Sequence, residues 1–439
     1  MKTIALIQPK IEFEENYPCS WIPFSILAVA SALPQNLFDI RIFDEQYINA
    51  QEIRQNLKSA DVLVIAVSIM TGGEQIENAL KIVRLLKQDH PFAVTVFGGS
   101  HANVLPEQTA QCTEVDYVIS GLGQVAFREL VEALDKNLPV EKIDGVYRRE
   151  GDKVLIPKNP KATVSFLPPY RFELINPNPY IRYDSTIASR TLNYISSQGC
   201  PYGCRFCYEN FYDRKYFRLK TNLVEKDMRL YAEQFHVNGV KFYDADFFIN
   251  RKICEEIVFQ LKDYNLAWAA SIHPNDILCY QEGARNSLLD FISVNGCKRL
   301  LMGLESGSDR VLKEIINKRI DSKAYRLIAK TVADYGIIGS YTFVVGFPGE
   351  TAEEYEDTFS LVEELWALQV PLETKIHIYL PYPGTPLFKE VIRLGYRPPK
   401  KLADWSSYNY YKAMTPWTDE FLEEKLNRYT KMIPKDVKK

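Results

Sequence analysis

The sequence predicts an α/β protein in which a doubly wound parallel sheet precedes an incomplete (β/α)6 barrel of the TIM type. Three observations support this fold class. Apolar runs of strand length alternate with helical segments through the first 135 residues, six further strand and helix pairs begin at Leu192, and a proline-rich stretch separates the two series. Strands that are apolar along their whole length are typical of parallel sheets covered by helices on both faces.

The first part is expected over residues 1–140. We predict strands at 3–8, 39–44, 61–70, 93–97 and 117–120, and helices at 25–33, 50–58, 74–87 and up to about 134. Within the third helix, Ile76, Leu80 and Val83 recur at helical spacing. Ligands bind parallel sheets beyond the carboxyl ends of the strands, so the segments 68–73, 98–103 and 121–124 form the predicted binding edge.

Residues 141–185 interrupt this alternation. A hairpin is predicted at 145–157, with Gly151 and Asp152 in its turn, and several prolines follow it. We expect this region to be a linker of extended segments. The tail, 396–439, is rich in tryptophan and tyrosine and shows no clear period, so we treat it as a C-terminal extension.

The second part, 186–395, repeats a strand and a helix six times. The predicted strands are 192–196, 240–243, 268–271, 299–303, 340–345 and 374–379. The predicted helices are 222–234, 252–264, 285–294, 309–316, 322–335 and 352–368. Six units instead of eight predict an incomplete barrel, and an active site at the carboxyl ends of its strands.

Composition limits the classes of function. Lys and Arg number 53 against 56 Asp and Glu, a formal net charge of -3, so the chain has no cationic excess to hold nucleic acid. No apolar run is long enough to span a bilayer, and the first residues read as a buried strand instead of a signal peptide. We therefore expect a cytoplasmic protein, in which eight cysteines indicate metal binding or catalysis more than disulfides.

The strongest motif places Cys200, Cys204 and Cys207 in a C-x3-C-x2-C loop directly after the first barrel strand. Three thiolates on one loop can ligate three irons of a cubane cluster and leave the fourth iron open to a small molecule. A buried packing cluster and a zinc site are the alternatives. Structural zinc usually needs a fourth Cys or His, and the nearest later candidate, His236, lies beyond a predicted helix.

The loop, with an aromatic residue before its last cysteine, resembles the radical S-adenosylmethionine (SAM) superfamily, and the resemblance extends over about 193–388. It implies that the three cysteines hold a 4Fe–4S cluster, with Phe206 packing on the adenine or shielding the cluster. Residues 303–308, 345–351 and 381–387 resemble later motifs of the family. They imply that Glu305 and Ser306 contact the ribose and amino acid of SAM and that Gly346 lies near the adenine. A salt bridge for Glu305, loop packing for Phe206 and a turn requirement for Gly346 are the structural alternatives.

One motif departs from the family. Where radical SAM enzymes usually carry Gly-Gly-Glu after the second strand, this chain has Asp244 and Asp246 in the sequence Tyr-Asp-Ala-Asp. A paired-acid version resembles the branch with a cobalamin-binding domain. Either carboxylate, or the backbone, would then receive the amino group of SAM. The alternative is a pair of acids at the start of the helix that follows 250–252.

The first part resembles the cobalamin-binding domain of this branch in its turns at 97–102 and 117–124. The resemblance implies cobalamin as a third cofactor. The predicted binding residues lie on the loops at the strand ends: Ser68, Thr71, Gly98, Gly99, Ser100, Gly121 and Gly123. The Asp-x-His-x-x-Gly motif that ligates cobalt in the mutases is missing, so either the cobalt has no such ligand or the domain has lost its cofactor. His101 belongs to the same edge, although a role at a helix start or on the surface is equally compatible.

The catalytic candidates are Asp246, His377 and Tyr379. His377 lies in the sixth barrel strand, where it assists a proton transfer or is a hydrogen-bonded core residue. Several aromatic residues line a substrate pocket or cap the barrel: Tyr208, Trp405, Tyr408, Tyr410, Tyr411 and Trp417. The remaining cysteines lack metal-ligand spacing and are interpreted as packed thiols: Cys19, Cys112, Cys254, Cys279 and Cys297.

The resemblance implies an enzyme that generates a 5′-deoxyadenosyl radical and, most simply, a cobalamin-dependent methyltransferase acting on an unactivated carbon of a small or natural-product-like substrate. Its partners would be that small molecule and an external one-electron reductant such as flavodoxin or ferredoxin. The alternatives are a cobalamin-binding enzyme that cyclises or rearranges its substrate, a methylthiotransferase, and a non-catalytic cobalamin carrier. The methylthiotransferase is disfavoured because only Cys19 and Cys112 precede the barrel and the tail after Gly395 is short.

Overall fold

The computed structural model describes residues 1–11, 21–279, 288–408, 415–418, 422, 424–426 and 429. The chain divides into two compact units. The first comprises Met1–Tyr180 and Arg397–Tyr410, and the second comprises Ile181–Tyr396 and Tyr411–Lys439.

A seven-stranded sheet forms the centre of the first unit. Its strands are β1 (Lys2–Gln8), β2 (Phe38–Asp44), β3 (Val62–Ser68), β4 (Val94–Gly98), β5 (Tyr117–Ile119), β6 (Val146–Glu150) and β7 (Lys153–Leu155). They lie in the order β2-β1-β3-β4-β5-β6-β7, and the first five are parallel. This order is doubly wound and reverses between β1 and β3, so the predicted Rossmann-like fold is confirmed.

Helices cover this sheet because their apolar side chains repeat at helical spacing. They are α1 (Phe24–Ser31), α2 (Ala50–Leu57), α3 (Gln75–Lys87), α4 (Ser100–Val104), α5 (Pro106–Ala110) and α6 (Gln124–Asp135). One core cluster joins Ile26 of α1 and Leu130 of α6 to Leu6 and Val64 of the sheet, and all four side chains are buried. A capping box of Asn49 and Glu52 fixes the start of α2.

The hairpin predicted at 145–157 is present, but it is part of the first sheet instead of a linker. Strand β6 pairs antiparallel with β5, and β7 pairs with β6. The pairing extends the sheet beyond β5 and buries Val146 and Tyr147. Part of the expected C-terminal extension also differs, because Arg397–Tyr410 belongs to the first unit and buries Trp405 completely.

The second unit is built on an open, curled sheet. Its strands are β8 (Arg182–Asp184), β9 (Ala188–Tyr194), β12 (Gly239–Phe242), β13 (Ala267–Ser271), β14 (Cys297–Glu305), β15 (Ile338–Val345) and β16 (Leu372–Ile378). The order is β16-β15-β14-β13-β12-β9-β8. Six strands are parallel and β8 runs antiparallel to β9, so the incomplete six-stranded barrel is confirmed. A two-stranded ribbon of β10 (Ser197–Gln198) and β11 (Phe217–Arg218) closes the loop that carries the cysteines.

The helices of the second unit follow the predicted alternation. They are α7 (Thr221–Glu233), α8 (Arg251–Asp263), α9 (Pro274–Cys279), α10 (Leu288–Val294), α11 (Tyr325–Asp334), α12 (Ala352–Ala367) and α13 (Phe388–Arg393). The start of the helix predicted at 285–294 lies outside the described residues. The helix predicted at 309–316 is a π-helical turn, Val311–Ile315, because the amide of Ile316 donates to the carbonyl of Val311. Within the described part of the chain, no helix is long and apolar enough to cross a membrane.

Candidate functional site

The three cysteines of the C-x3-C-x2-C motif share one loop between β10 and β11. Gly199 opens the loop at a φ of +90°, and a Cβ there would overlap the carbonyl of Lys215, which lies just before β11. The Cys207 amide donates to the Cys204 carbonyl at 3.0 Å. The side-chain amide of Asn210 donates to the carbonyls of both residues, at 2.5 and 2.9 Å. The backbone around the second and third cysteines is therefore fixed by local hydrogen bonds.

All three residues are free thiols. Burial raises the pKa of Cys200 and of Cys207 to about 12, and it also raises the pKa of Cys204. Cys200, Cys204 and the carboxylate of Glu209 raise the pKa of Cys207 further. Because metals bind the thiolate form of cysteine, any metal bound by these residues would displace their protons.

The described residues contain no group of three or more His, Cys, Asp or Glu side chains arranged to hold a single metal ion. The loop itself contributes three free cysteines, one fewer than the four ligands of a typical structural zinc site. Three thiols without a fourth partner match the donor set of a cubane with one open iron.

Arg205 fixes the loop to neighbouring segments, a role that the sequence analysis missed. Its amide donates to the Ile316 carbonyl at 2.9 Å, and its guanidinium donates to the carbonyls of Glu314 and Ile315. The same guanidinium forms an ion pair with Glu390. The sequence places this arginine between two cysteines of the motif, and that position does not reveal its partners.

A stacked pair lies beside the same loop. The rings of Tyr202 and His273 stack with their centroids 3.8 Å apart, and the Tyr202 hydroxyl donates to Asp276 at 3.1 Å. Burial, and then the positive charge of Lys318, lower the pKa of His273 to about 3, so its ring is neutral near pH 7. The contact fixes the segment between the first two cysteines against the end of β13.

The structure separates the two acids after β12. Asp244 accepts hydrogen bonds from the Ser196 amide at 3.1 Å, from the Ser196 hydroxyl at 2.6 Å, and from the Ser197 hydroxyl. Both of its oxygens are therefore used to join the ends of β12 and β9. Asp246 accepts from the Phe248 amide through Oδ1, while its Oδ2 is buried without a hydrogen-bond partner in the part of the chain that the structure describes. Burial raises the pKa of Asp246 to about 7.

Glu305 ends β14 with a φ of +69° and forms an ion pair with Lys318. The salt-bridge alternative weighed for this carboxylate is thus present in the structure. The Ser306 hydroxyl has two partners within the protein. It lies 3.2 Å from the Thr358 hydroxyl, and it accepts a hydrogen bond from the Ser308 amide. These two residues therefore have structural partners besides the ligand contacts that the resemblance implies.

Aromatic rings extend from the cysteine loop toward the end of β16. The centroid of Phe206 lies 5.4 Å from that of Phe347, which lies 5.1 Å from that of Tyr379. The Tyr379 hydroxyl is buried and has no hydrogen-bond partner among the described residues. The neighbouring His377 is partly buried, and burial followed by the charge of Lys375 lowers its pKa to about 4.

Gly346 occupies the turn that follows β15. Its φ is +83°, and its amide and that of Phe347 donate to Oε2 of Glu350 at 2.6 and 2.9 Å. An added Cβ would have its nearest neighbours 3.5 Å away. The backbone conformation, and not crowding, therefore explains the glycine.

At the carboxyl edge of the first sheet, two glycines allow neighbouring backbone segments to pack closely against them. Gly99 has a φ of +93°, and a Cβ would lie 2.5 Å from the Ile69 carbonyl. Gly121 has a φ of +107°, and a Cβ would overlap the backbone of Ala162. Gly98 is the last residue of β4, Ser100 is the first of α4, and Gly123 directly precedes α6. The hydroxyl of Ser68 lies 2.9 Å from that of Ser25, and Thr71 is 2% exposed.

His101 is completely buried at this edge, so the surface role considered for it is wrong. Its ring lies edge-on to Trp405, and neither ring nitrogen has a hydrogen-bond partner in the described ranges. Burial lowers the pKa of His101 to about 3. A buried neutral imidazole with two unsatisfied nitrogens is costly, which is typical of a site that contacts a further group.

Of the other aromatic candidates, Tyr208 stacks on Phe211 beside the cysteine loop, and Trp405 and Tyr408 are buried in the first unit. Trp417 donates to the Gly346 carbonyl at 3.1 Å. Tyr410, Tyr411 and Cys19 lie outside the described residues. Cys254 and Cys297 are buried, as expected for packed thiols, and Cys112 is partly buried.

Two family profiles match the chain. Residues 194–362 match the radical SAM superfamily, and residues 15–131 match the B12 binding domain. The chain therefore carries a radical SAM domain and a B12 binding domain. Its cofactors are a 4Fe–4S cluster, SAM and cobalamin.

Among curated relatives, an uncharacterized methyltransferase of Pyrococcus horikoshii is 26% identical over 83% of this chain and 78% of its own length. An anaerobic magnesium-protoporphyrin IX monomethyl ester cyclase of Cereibacter sphaeroides is 24% identical over 97% of this chain and 68% of its own length. The solved structure of the radical SAM methyltransferase TsrM from Kitasatospora setae superposes on this radical SAM enzyme with a TM-score of 0.72 at 16% identity, over 90% of this chain and 76% of that one. That likeness establishes a shared fold.

The residues present fit these cofactors. The cysteine loop offers three free thiols. Among the described residues, Oδ2 of Asp246 and both ring nitrogens of His101 are buried without a hydrogen-bond partner, which a bound cofactor would supply.

Proposed function

We propose that this radical SAM enzyme is a cobalamin-dependent methyltransferase that modifies an unactivated carbon of a small or natural-product-like substrate. The observation that carries the proposal is the joining of a B12 binding domain and a radical SAM domain in one chain. The names of relatives support methyl transfer, since the Pyrococcus protein and TsrM are both called methyltransferases.

We assign Cys200, Cys204 and Cys207 as the cluster ligands. These cysteines would hold the cluster, and the bound cluster would supply the electron for reductive cleavage of SAM. Asp246 is assigned to receive the SAM amino group, since its Oδ2 has no partner among the described residues. Asp244 is assigned to hold the loop, because its oxygens already bind Ser196 and Ser197.

The aromatic rings of Phe206 and Phe347 exclude water from this end of the barrel, which a reactive carbon radical requires. Tyr379 follows them, and its buried hydroxyl is available to a substrate or to SAM. His377 is neutral at pH 7 because its pKa is lowered, so it is assigned as a proton acceptor rather than a cation.

We place cobalamin at the carboxyl edge of the first sheet, where the strand order reverses and ligands of such sheets bind. The residues assigned to it are Ser68, Thr71, Gly98, Gly99, Ser100, Gly121 and Gly123. His101 belongs to the same edge. The chain's contribution is to position the cofactor and to exclude solvent around it.

Free cluster thiols require a reducing setting, so we propose a cytoplasmic enzyme served by an external one-electron reductant such as flavodoxin or ferredoxin. The formal net charge of -3 supports a small-molecule substrate over a nucleic acid.

The similarity to a cyclase supports a second candidate function, in which cobalamin takes part in cyclisation or rearrangement of the substrate. The two differ in the fate of the SAM methyl group. Methylation of cobalamin leaves S-adenosylhomocysteine, whereas radical formation leaves methionine and 5′-deoxyadenosine.

The test incubates the reconstituted enzyme with hydroxocobalamin, titanium(III) citrate and SAM that carries a deuterated methyl group. A methyltransferase gives deuterated methylcobalamin and an equal amount of S-adenosylhomocysteine, even without substrate. Formation of 5′-deoxyadenosine with no S-adenosylhomocysteine would reject methyl transfer and favour the second candidate. A Cys204→Ala variant is the control for cluster-dependent products.

A further inference from the structure

Lys318 is a buried cation in the second unit. Its side chain is 6% exposed, and its Nζ lies 3.0 Å from Oε1 of Glu305, whose side chain is 10% exposed. Lysine is rarely buried, and a buried ion pair seldom contributes more stability than an apolar pair of the same volume. The position of this pair therefore calls for a role other than stability.

Lys318 lies directly beside the cysteine loop. The carbonyl of Ile316 accepts from the amide of Arg205, which follows Cys204. The next residue, Asn317, reaches the Gly203 carbonyl at 3.5 Å. On the cysteine loop, these two contacts involve the residues on either side of Cys204. Their partners are the two residues that precede Lys318.

Charges on the two segments interact. Burial by itself would lower the pKa of Lys318, but the Glu305 carboxylate and the thiolates of Cys204 and Cys207 raise it above its ordinary value. The ion pair with Glu305 therefore favours the charged form of Lys318.

The local backbone is built around the pair. The Lys318 amide donates to the Leu312 carbonyl at 2.7 Å, which closes the π-helical segment. Gly303 leaves room for both side chains, because a Cβ there would overlap Oε1 of Glu305 and would lie 3.0 Å from Nζ of Lys318. The positive φ of Glu305 directs its carboxylate into this space.

We propose that Lys318 and Glu305 form a charge pair that sets the reduction potential of the cluster held by Cys204 and Cys207. Reduction adds one negative charge to the cluster, so a fixed cation in a low-dielectric site stabilises the reduced state and a fixed anion opposes it. Lys318 raises the potential and Glu305 lowers it. Both act as positioning and electrostatic residues, and the inference rests on the proposed assignment of the cluster ligands.

The test is a redox titration of the reconstituted full-length enzyme, followed by electron paramagnetic resonance without SAM, cobalamin or substrate. Lys318→Met is expected to shift the midpoint potential downward, and Glu305→Gln to shift it upward. The double variant, which removes both charges, is expected to return close to the wild-type potential. Lys330→Met, which removes an exposed charge from the same unit, is the matched control and leaves the potential unchanged.

Shifts of the two single variants in the same direction, or shifts no larger than that of Lys330→Met, would overturn the inference. Lys318→Arg keeps the charge and is expected to retain the wild-type potential, which separates charge from packing. If Lys318→Met loses its iron, the midpoint potential of Glu305→Gln still tests the proposal, which predicts an upward shift. A wild-type enzyme with no cluster signal would reject both the inference and the cluster assignment, whereas failure of methyl transfer alone leaves the titration unaffected.

Discussion

The indole of Trp405 packs edge-on against the imidazole of His101, with ring centroids 5.4 Å apart. Trp405 also donates to the Gln108 side chain at 2.7 Å, and its carbonyl accepts from the Gly73 amide at 3.2 Å. Tyr408 packs on Gly72, where an added Cβ would approach the Tyr408 ring to 2.6 Å. The tail segment Leu402–Ser407 and the residue after it therefore cover the loops that follow β3 and β4.

Trp405→Ala is expected to destabilise the first unit by roughly 3–5 kcal/mol, because a fully buried indole and its hydrogen bond are removed. Denaturant unfolding measures the loss. Phe92→Ala is the control, since Phe92 is 96% exposed in the same unit. Equal stability of the two variants would contradict a structural role for the tail segment.

Asp246→Asn is expected to weaken SAM binding to the reconstituted enzyme by about tenfold, because a carboxylate that receives an ammonium group contributes on the order of 1.4 kcal/mol more than an amide. Asp244→Asn is expected instead to lower the unfolding free energy by about 1–3 kcal/mol, since it disturbs three buried hydrogen bonds. Equilibrium dialysis and denaturant unfolding separate the two effects. If Asp244→Asn lost more SAM affinity than Asp246→Asn, the assignment of Asp246 to the SAM amino group would be contradicted.

Asp227 gives a pH-dependent stability. Its carboxylate is buried, accepts from the Tyr194 hydroxyl at 2.7 Å, and has a pKa raised to about 7 by burial. Since the folded pKa exceeds the unfolded one, the folded state binds more protons between pH 4 and 7, and this group's contribution to stability falls as pH rises through that window. Asp227→Asn removes the dependence, so its stability relative to wild type should rise by on the order of 4 kcal/mol from pH 4 to pH 8. A pH-independent difference in denaturant unfolding would contradict this.

Gly99→Ala is expected to destabilise the first unit more than Gly151→Ala does. Both glycines have a positive φ, but Gly151 has nothing within 4 Å of an added Cβ, whereas Gly99 faces the Ile69 backbone at 2.5 Å. The turn variant should therefore cost about 1 kcal/mol and the edge variant several times more. Gly99→Ala should also retain less cobalamin after gel filtration than Gly151→Ala, as judged from the optical spectrum. Similar losses of stability for both variants would contradict this, because they would mean that the positive φ alone, and not the contact with Ile69, determines the cost.

Much of the fold was predictable because it depends on local periodicity. The alternation of apolar strands and amphipathic helices located every parallel strand of both sheets to within a few residues. The hairpin at 145–157 was also predicted, but not its pairing with β5, because strand pairing is a non-local property that periodicity does not encode. The role of the tail was not predictable for the same reason, since Trp405 and His101 meet only in the folded chain.

The candidate site was predictable where residues are close in sequence. The spacing of Cys200, Cys204 and Cys207 predicts a cluster loop directly from the sequence. The different roles of Asp244 and Asp246 were not, because they depend on hydroxyl groups contributed by another strand. Glu305 and Lys318 lie thirteen residues apart, so only the structure brings them together at the cysteine loop.

The central claim is that one chain holds both a cluster and cobalamin, and metal analysis of the anaerobically purified protein tests it most directly. Protein produced with cobalamin supplied is assayed for iron, sulfide and cobalt together with its optical spectrum, beside a variant with alanine at Cys200, Cys204 and Cys207. We predict about four irons and about one cobalt per wild-type chain, and cobalt without cluster iron in the variant. Wild-type protein that contains no iron after reconstitution, or a variant that keeps it, would contradict the account.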